Sequence, residues 1–207
     1  MSELRLRLEV RPCRVKEATD AVRRWHYSRI IPVGRLICHG VWESGAWVGV
    51  IIYGRGAARE LGRPFGCSNI QVCELVRIAL APGRKVPTSR ALGVSLRMLA
   101  RTNPGLRCVV SYADTAQQHV GTLYQATNWI YTGETAKSYQ FMYQGVWKHL
   151  RVVSGPQLDG SPAVVGWNLL PRRRTPPKHR YVYPLDERLR RVIAAQPYPK
   201  HAPHLTP

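Results

Sequence analysis

The amino-acid sequence predicts a mixed α/β protein in which helices cover both faces of one central sheet. Segments with the alternating pattern of strands are separated by segments with helical periodicity. In the middle of the chain a predicted hairpin is followed by a strand–helix–strand–helix order, which combines antiparallel with parallel pairing. The 207 residues are 44% apolar, which is enough for the core of one domain.

The first half of the chain carries four predicted strands and one predicted helix. Leu and Val alternate with charged residues over residues 4–11, and Pro12 ends this strand. Apolar residues recur at helical spacing from Val15 to Trp25, which predicts a helix. Residues 36–43 and 46–54 are predicted to form the two strands of a hairpin. A long ordered loop is predicted at residues 55–69 and a further strand at residues 72–80.

The second half begins with a helix that starts at Pro87-Thr88-Ser89 and continues with a buried strand that ends at Asp114. Thr115 followed by Gln118 is the capping-box pattern, so a helix is expected to start at Thr115. That helix is expected to carry His119, Leu123 and Tyr124. Two further strands are predicted at residues 139–144 and 147–153.

Residues 1–170 are predicted to form the domain that carries the chemistry, and residues 171–207 a Pro-rich basic arm outside the core. The arm holds eight of the sixteen prolines and nine Lys or Arg residues against two acids. An extended cationic segment suits the phosphates of nucleic acid with little sequence preference. The candidate nucleic-acid-binding residues are Arg172, Arg173, Arg174, Lys178 and Arg180.

The whole chain is strongly basic, with 31 Lys and Arg residues against 12 Asp and Glu and a net charge of +19. Such an excess indicates a polyanionic partner, and nucleic acid is the favoured one. No apolar run is long enough to cross a bilayer and the N-terminus does not resemble a signal peptide, so no membrane partner is expected. The five cysteines lack paired C-x-x-C spacing, which indicates reduced thiols in a cytoplasm.

Carboxylates are scarce: only five lie between residues 21 and 158, and two of them belong to apolar strands. Glu74 lies inside such a strand and Asp114 at the end of another, where α/β proteins place their sites. A buried carboxylate is costly unless it is paired, hydrogen-bonded or bound to a metal. Glu74 therefore has two open interpretations, a buried ion pair with Arg77 or an active-site group.

Two cations, Arg84 and Lys85, precede the helix that starts at Pro87. One interpretation is a phosphate site at the helix N-terminus, and the other is a pair of solvated loop cations. The candidate cofactor-binding residues of this segment are Arg84, Lys85, Thr88, Ser89 and Arg90.

Five motifs resemble the Mom family, DNA-modification proteins of Mu-like phages with the GNAT acyltransferase fold. They are RRWHYSR, GVWE with GVIIYGRGA, ELVRIAL with SRALG, SYAD and LYQATNWIYTG, spread over residues 20–135. The resemblance implies a GNAT-like fold and conversion of the adenine N6 amine to a carbamoylmethylamine, which hides phage DNA from host restriction enzymes. It implies functional positions at His26, Tyr27, Arg77, Asp114 and Tyr124.

An iron requirement is also implied by the resemblance, with His26 and Asp114 as ligands and His119 or Glu74 completing the set. For the transfer itself, Asp114 or Glu74 is expected to accept a proton from N6. Tyr124 is expected to protonate the leaving group, and Arg77 to hold a carboxylate or carbonyl oxygen. Because adenine must leave the helical stack, aromatic side chains are expected to stack on it. The candidates are Trp25, Tyr27, Trp42, Tyr112 and Trp129.

The acyl donor stays open between acetyl-CoA and a glycyl ester such as glycyl-tRNA. The usual GNAT pyrophosphate loop contains glycines, whereas residues 84–90 contain none, which argues against coenzyme A. Transfer from acetyl-CoA gives an amide, whereas a glycyl ester can give a carbamoylmethyl group without a redox step.

Two rival classes fit the same sequence: a coenzyme A-dependent N-acetyltransferase acting on protein or small amines, and a non-catalytic DNA-binding protein. The expected partner is double-stranded DNA, with a tRNA as donor in the glycyl route. A homodimer that clamps the duplex is a further hypothesis, and the expected location is the cytoplasm of the bacterial host.

Overall fold

A computed structural model describes residues 7–55, 60–155 and 162–200 of the chain. Its ten strands are β1 (Leu8–Pro12), β2 (Leu36–Glu43), β3 (Ala46–Gly54), β4 (Val72–Leu80), β5 (Cys108–Asp114), β6 (Ile130–Glu134), β7 (Ser138–Tyr143), β8 (Val146–His149), β9 (Arg172–Thr175) and β10 (Lys178–Pro184). Its five α-helices are α1 (Val15–Trp25), α2 (Thr88–Thr102), α3 (Thr122–Gln125), α4 (Leu150–Ser154) and α5 (Glu187–Val192).

A seven-stranded sheet forms the centre of the fold, in the order β1-β2-β3-β4-β5-β10-β6. Its neighbouring strands run antiparallel, except that β4 and β5 are parallel. The other three strands form a small sheet in the order β8-β7-β9. The mixed α/β class predicted from the sequence is confirmed.

The parallel strands β4 and β5 separate soon after they pair. Their pairing covers only Val72–Glu74 and Cys108–Val110, although β4 continues to Leu80 and β5 to Asp114. A register shift between β3 and β4 adds one extra residue, Val76, to β4 at this point. Ligands of open sheets bind beyond the carboxyl ends of parallel strands, so the gap between β4 and β5 is where a site is expected.

Helices cover both faces of the central sheet. Leu92 and Leu96 of α2 share a core cluster with Val109 of β5. The next residue, Val110, points to the other face and packs with Leu189 of α5. On that same other face α1 packs against β2, β3 and β4. Among the described residues, no helix is both long and apolar enough to cross a membrane.

The elements with strong local periodicity lie where they were predicted. α1 begins at Val15 and ends at Trp25, and β2, β3 and β4 have the predicted bounds. The β2–β3 turn uses Ser44 (φ 48°) and Gly45 (φ 87°), because a type I′ hairpin needs two left-handed residues. The first strand ends at Pro12 as predicted, whereas its predicted start at residues 4–6 lies outside the described residues.

The prediction of a helix that starts at Thr115 is wrong. Residues Thr115–Gln117 form only one 3-10 turn, whose N-cap is Asp114: its carboxylate accepts the backbone N–H of Ala116. The chain then leaves the helical path through Gln118, which is left-handed with φ 55°. α3 starts only at Thr122, so Tyr124 is helical but His119 lies in the loop before α3.

Two further elements differ from the predicted order. The strand predicted for residues 147–153 ends at His149, and Leu150–Ser154 form α4, which packs on β7 and β8. β6 is absent from the predicted elements. Short apolar runs do not distinguish strand from helix by periodicity, so packing decided both cases.

The basic arm predicted for residues 171–207 is wrong for most of its length. β10 lies between β5 and β6 in the central sheet, and its Tyr181 and Val182 are fully buried. Leu189 of α5 is also buried, so residue 170 is no boundary of the core. The segment is rich in proline and arginine, which favoured an extended arm, although Tyr181–Tyr183 is a short run of residues that favour strands. Residues 201–207 lie outside the described residues.

Candidate active site

Tyr124 lies at the gap where β4 and β5 separate. Ser111 of β5 donates from Oγ to the carbonyl oxygen of Leu75 in β4 at 3.0 Å, just past the last paired residues. The same Oγ lies 2.8 Å from the Tyr124 hydroxyl. A serine hydroxyl carries one proton and a carbonyl oxygen only accepts, so Tyr124 is the donor in this second bond.

Burial keeps the Tyr124 hydroxyl protonated. Its ring packs against Trp129 and Tyr181, with ring centroids 5.1 Å and 4.9 Å away. Burial raises the pKa of Tyr124 to about 12, and the charge of Glu74 acts in the same direction while the bond to Ser111 opposes it. At neutral pH Tyr124 therefore holds a proton that it can give to a leaving group.

His26 directly follows α1 and is held in one tautomer. The backbone N–H of Ser28 donates to His26 Nδ1 at 3.1 Å, and Ser28 Oγ lies 2.8 Å from the same nitrogen. Because Nδ1 accepts, the proton of the neutral ring is on Nε2. Burial, with the charge of Arg77, lowers the pKa of His26 to about 4. At pH 7 the ring is neutral and offers an N–H donor.

Tyr27 presents an exposed ring beside His26. The two rings stack, with centroids 4.4 Å apart and planes 30° apart. The side chain of Tyr27 is 71% exposed, although a large aromatic ring is usually covered. An exposed ring on a rigid neighbour suits stacking against a base that has left its helix.

β4 supplies Arg77 immediately after its extra residue. Arg77 donates from Nε to the carbonyl of Ile30 at 3.2 Å and from Nη1 to the carbonyl of Val76 at 2.6 Å. These bonds join the loop after α1 to the strand that borders the gap. Burial lowers the pKa of Arg77, whereas the charges of Tyr27 and Glu74 raise it.

Glu74 and Arg77 line a cavity of about 300 Å³ beside the gap. The rest of its wall comes from residues 32–36 and from Gly54 and Arg55 at the end of β3. The charge of Glu74 raises the pKa of Tyr124 across the gap and of Tyr112 on β5. The carboxylate therefore acts on both sides of the separated strands.

Five of the six predicted catalytic residues take part in electrostatic interactions with one another, which shift the pKa of His26, Arg77 and Tyr124. The five are His26, Tyr27, Glu74, Arg77 and Tyr124. They come from three parts of the chain: the segment directly after α1, strand β4 and helix α3. Each one is charged, aromatic or a hydrogen-bond donor, so the group can polarise a carbonyl and move a proton.

Asp114, the sixth residue, has other contacts at the end of β5. Its Oδ1 accepts the backbone N–H of Ala116 at 3.1 Å, and its Oδ2 lies 3.7 Å from Lys178 Nζ. His119 is exposed in the loop before α3. Within the three described ranges, no group of three His, Cys, Asp or Glu side chains is placed to hold a metal ion. The described residues therefore give no support to the iron site predicted from His26 and Asp114 with His119 or Glu74.

A carboxylate of the protein itself occupies the loop in front of α2. Glu43 at the end of β2 accepts the backbone N–H of Lys85, with 2.9 Å to Oε2, and that of Val86 at 3.0 Å. Arg84 donates to a backbone carbonyl at 2.9 Å and to the hydroxyl of Thr88. The N–H groups that would hold a phosphate here therefore hold Glu43. Ser89 and Arg90 follow in the first turn of α2.

The five predicted nucleic-acid-binding cations lie on two strands of different sheets. Arg172, Arg173 and Arg174 are exposed on β9, and they form no ion pair with the described carboxylates. Lys178 contacts Asp114. Arg180 donates to the side chain and the carbonyl of Thr132 at 2.9 Å and 3.0 Å.

Three of the five aromatic residues proposed to stack on adenine are packed within the protein. They are Trp25 against Trp47, Trp42 beneath the guanidinium of Arg11, and Trp129 in the core. Tyr27 is exposed and Tyr112 is half-buried next to Glu74. Of the five, Tyr27 and Tyr112 are therefore the remaining candidates for the predicted stacking.

Sequence reasoning missed three residues that shape the site: Ser28, Glu43 and Ser111. Ser28 and Ser111 lie inside the RRWHYSR and SYAD motifs, so the motifs marked the right segments without showing which atoms bond. Glu43 bonds to Lys85 across 42 positions of sequence, which no local pattern reveals.

The fold is similar to those of N-acetyltransferases. A spermidine N-acetyltransferase from Vibrio cholerae superposes with a TM-score of 0.51 at 11% identity, over 89% of this chain and 98% of the other. An aminoglycoside acetyltransferase in complex with coenzyme A and kanamycin superposes with a TM-score of 0.50 at 11% identity, over 89% and 99%. The separation of β4 and β5 agrees with this comparison, and the chain therefore has a GNAT-like acyltransferase fold.

The chain belongs to the Mom protein family, whose family model matches residues 7–200. A relative from Escherichia phage Mu, the methylcarbamoylase Mom, is 26% identical over 208 residues, which cover 94% of this chain and 84% of that protein. The family and the fold predicted from the five motifs are both confirmed.

Proposed function

We propose that this protein converts the N6 amine of adenine in phage DNA to a carbamoylmethylamine and so protects the DNA from restriction in the host cytoplasm. The observation that carries the proposal is the convergence of an N–H donor, a carboxylate, a guanidinium and a protonated phenol at the gap between β4 and β5. Membership of the Mom family supports the same reaction, because a relative is named a methylcarbamoylase.

The acceptor base enters the site by leaving the duplex. Unstacking costs roughly a few kcal/mol, which stacking on a protein ring offsets. The exposed ring of Tyr27 provides such a surface beside the cavity lined by Glu74 and Arg77. Glu74 accepts the N6 proton, because its side chain lines this cavity.

The remaining residues act on the acyl donor. The Nε2–H of His26 and the guanidinium of Arg77 stabilise the negative charge that develops on the attacked carbonyl oxygen. Tyr124 gives its proton to the leaving oxygen. In the resting site this proton points to Ser111, and rotation about the phenolic C–O bond redirects it into the gap.

A glycyl ester such as glycyl-tRNA is the donor that fits the product. N6 attacks the ester carbonyl, an amide bond forms, and the RNA hydroxyl leaves with the proton from Tyr124. The free glycyl amine then attacks C6 through a five-membered ring, and the former N6 leaves as the nitrogen of the new carboxamide. The product carries NH–CH2–CO–NH2 at C6, and the sequence needs no oxidant or reductant.

Coenzyme A is expected not to bind. The N–H groups of Lys85 and Val86 already hold the Glu43 carboxylate, which repels a pyrophosphate at the same place. Titration calorimetry with acetyl-CoA should therefore detect no binding tighter than about 1 mM. The matched variant is Glu43→Ala, in which both N–H groups are free and any affinity for the nucleotide should first appear. Micromolar binding to the unaltered protein would contradict the glycyl route.

Mass spectrometry of nucleosides from plasmid DNA, after expression of the protein in bacteria, tests the function. An adenosine heavier by one carbamoylmethyl group is expected, and an empty vector is the control. The donor is then identified with purified protein and DNA. Product should form with glycyl-tRNA. If product forms with acetyl-CoA alone, glycyl-tRNA is excluded as the required donor. Unmodified DNA from folded protein would point to an acetyltransferase of protein or small amines, or to a non-catalytic DNA-binding protein.

Double-stranded DNA as the acceptor suits the net charge of +19. Arg172 and Arg174 remain candidate phosphate ligands, because both are exposed on β9. Lys178 and Arg180 are engaged by Asp114 and Thr132 and are weaker candidates. A homodimer that clamps the duplex stays a prediction.

A further inference from the structure

The small sheet of β7, β8 and β9 stands between β6 and β10 in the chain and supplies none of the residues at the gap. Residues 137–175, which contain it, hold six Lys or Arg and a single acid. A segment with this charge attracts a polyanion. The sheet is therefore a second basic part of the protein, apart from the residues at the gap.

One face of the small sheet is covered and the other is accessible. Phe141 is 3% exposed and meets the ring of Trp167 edge-to-face, with centroids 5.4 Å apart. The residues that alternate with Phe141 and pair across the strands lie on the opposite face. We name this the Trp147 face, and it consists of Ser138, Gln140, Met142, Trp147, His149, Arg173 and Thr175. All seven are half-buried or exposed.

The centre of the Trp147 face is a stack of two flat groups. The guanidinium of Arg173 lies over the ring of Trp147, 4.5 Å from its centroid. The Nε of Arg173 donates to the Gln140 side-chain oxygen at 2.9 Å, which fixes the plane of the guanidinium. Arginine planes and aromatic rings are the groups on which proteins stack unpaired bases. A duplex keeps its base faces covered, so this stack fits a single strand.

We propose that the Trp147 face binds the single-stranded 3′ end of the donor RNA. The inference rests on the proposed function, in which the donor is a glycyl ester of an RNA. The acceptor DNA is a duplex whose extruded base enters the gap, so unpaired bases at a second surface belong to the donor. The placement agrees, because β9 leads into β10, and Lys178 at the start of β10 lies beside Asp114 at the end of β5.

Fluorescence anisotropy with the full chain tests this assignment. The probes are a deacylated tRNA, the same tRNA trimmed of its single-stranded 3′ end, and a DNA duplex. Arg173→Lys keeps the charge but removes the flat guanidinium, and Trp147→Leu keeps an apolar side chain but removes the ring. Arg101→Lys, an exposed position on α2, is the matched control. Thermal melting verifies that each variant is folded.

Both test variants should bind the complete tRNA roughly 5-fold to 100-fold more weakly, which is the range of one lost base–aromatic stack. Their binding to trimmed tRNA and to the duplex should stay unchanged, and Arg101→Lys should match the unaltered protein on all probes. Equal weakening on the duplex would assign the face to DNA and overturn the proposal. Unchanged tRNA binding by both variants would overturn it too. Because the experiment measures affinity for tRNA, its result is independent of whether the protein modifies adenine.

Discussion

A chain that ends at Leu170 is expected to be unfolded, with no cooperative thermal transition. The truncation removes β10, which pairs along seven positions with β5 and separates β5 from β6. It also removes Tyr181, Val182 and Leu189, which are 0%, 0% and 1% exposed. Each fully buried side chain contributes about 1.5–3 kcal/mol, and a whole domain is stable by only about 5–15 kcal/mol.

Circular dichroism melting and size-exclusion chromatography measure this outcome. The matched control is a chain that ends at Lys200, which keeps all ten strands and should melt like the full chain. A native-like, cooperatively melting product that ends at Leu170 would show that residues 171–200 are an appended arm. In that case the DNA affinity alone should fall.

Replacing Tyr124 by Phe is expected to lower the rate of adenine modification about 100-fold to 10,000-fold, the usual contribution of a positioned general acid. The ring and its packing against Trp129 and Tyr181 remain, so the melting temperature should change little. The rate is measured as modified adenosine formed per minute with saturating DNA and donor. Tyr183→Phe is the control, because Tyr183 also packs on Trp129 but is not one of the residues described at the gap.

Ser111 is expected to position Tyr124, so Ser111→Ala should lower kcat by a smaller factor than Tyr124→Phe. Ser111→Thr keeps the hydroxyl and should recover most of the loss, which a purely structural defect would not do.

For Tyr124→Phe, a rate within roughly threefold of that of the unaltered protein would show that Tyr124 is not the general acid and that another group donates the proton.

Local sequence was enough for elements whose pattern repeats over eight or more residues. α1, β2, β3 and β4 have their predicted bounds because their periodicity or apolar content exceeds any competing local preference. The helix predicted at Thr115 ends after one 3-10 turn, because Gln118 adopts a left-handed conformation that leaves the helical path. A capping pattern marks where a helix can start, but it does not show how far the helix continues.

Part of the candidate site could be predicted from the sequence. Motifs and residue types marked His26, Tyr27, Glu74, Arg77 and Tyr124, and in the structure these five interact electrostatically with one another. Asp114 and His119 were marked by the same reasoning and have other contacts or face solvent. Residue type states what a side chain can do, whereas its neighbours across the fold decide what it does.

The sequence by itself determined the α/β class, the family, the basic charge and the chemical types of the candidate site residues. Tertiary structure alone decided that β10 completes the central sheet and that Glu43 fills the loop before α2. It also decided that Ser111 bridges the strands at Tyr124. The division has one physical cause. Periodicity and capping act between residues a few positions apart, whereas strand insertion and side-chain hydrogen bonds join groups that meet only when the chain has folded.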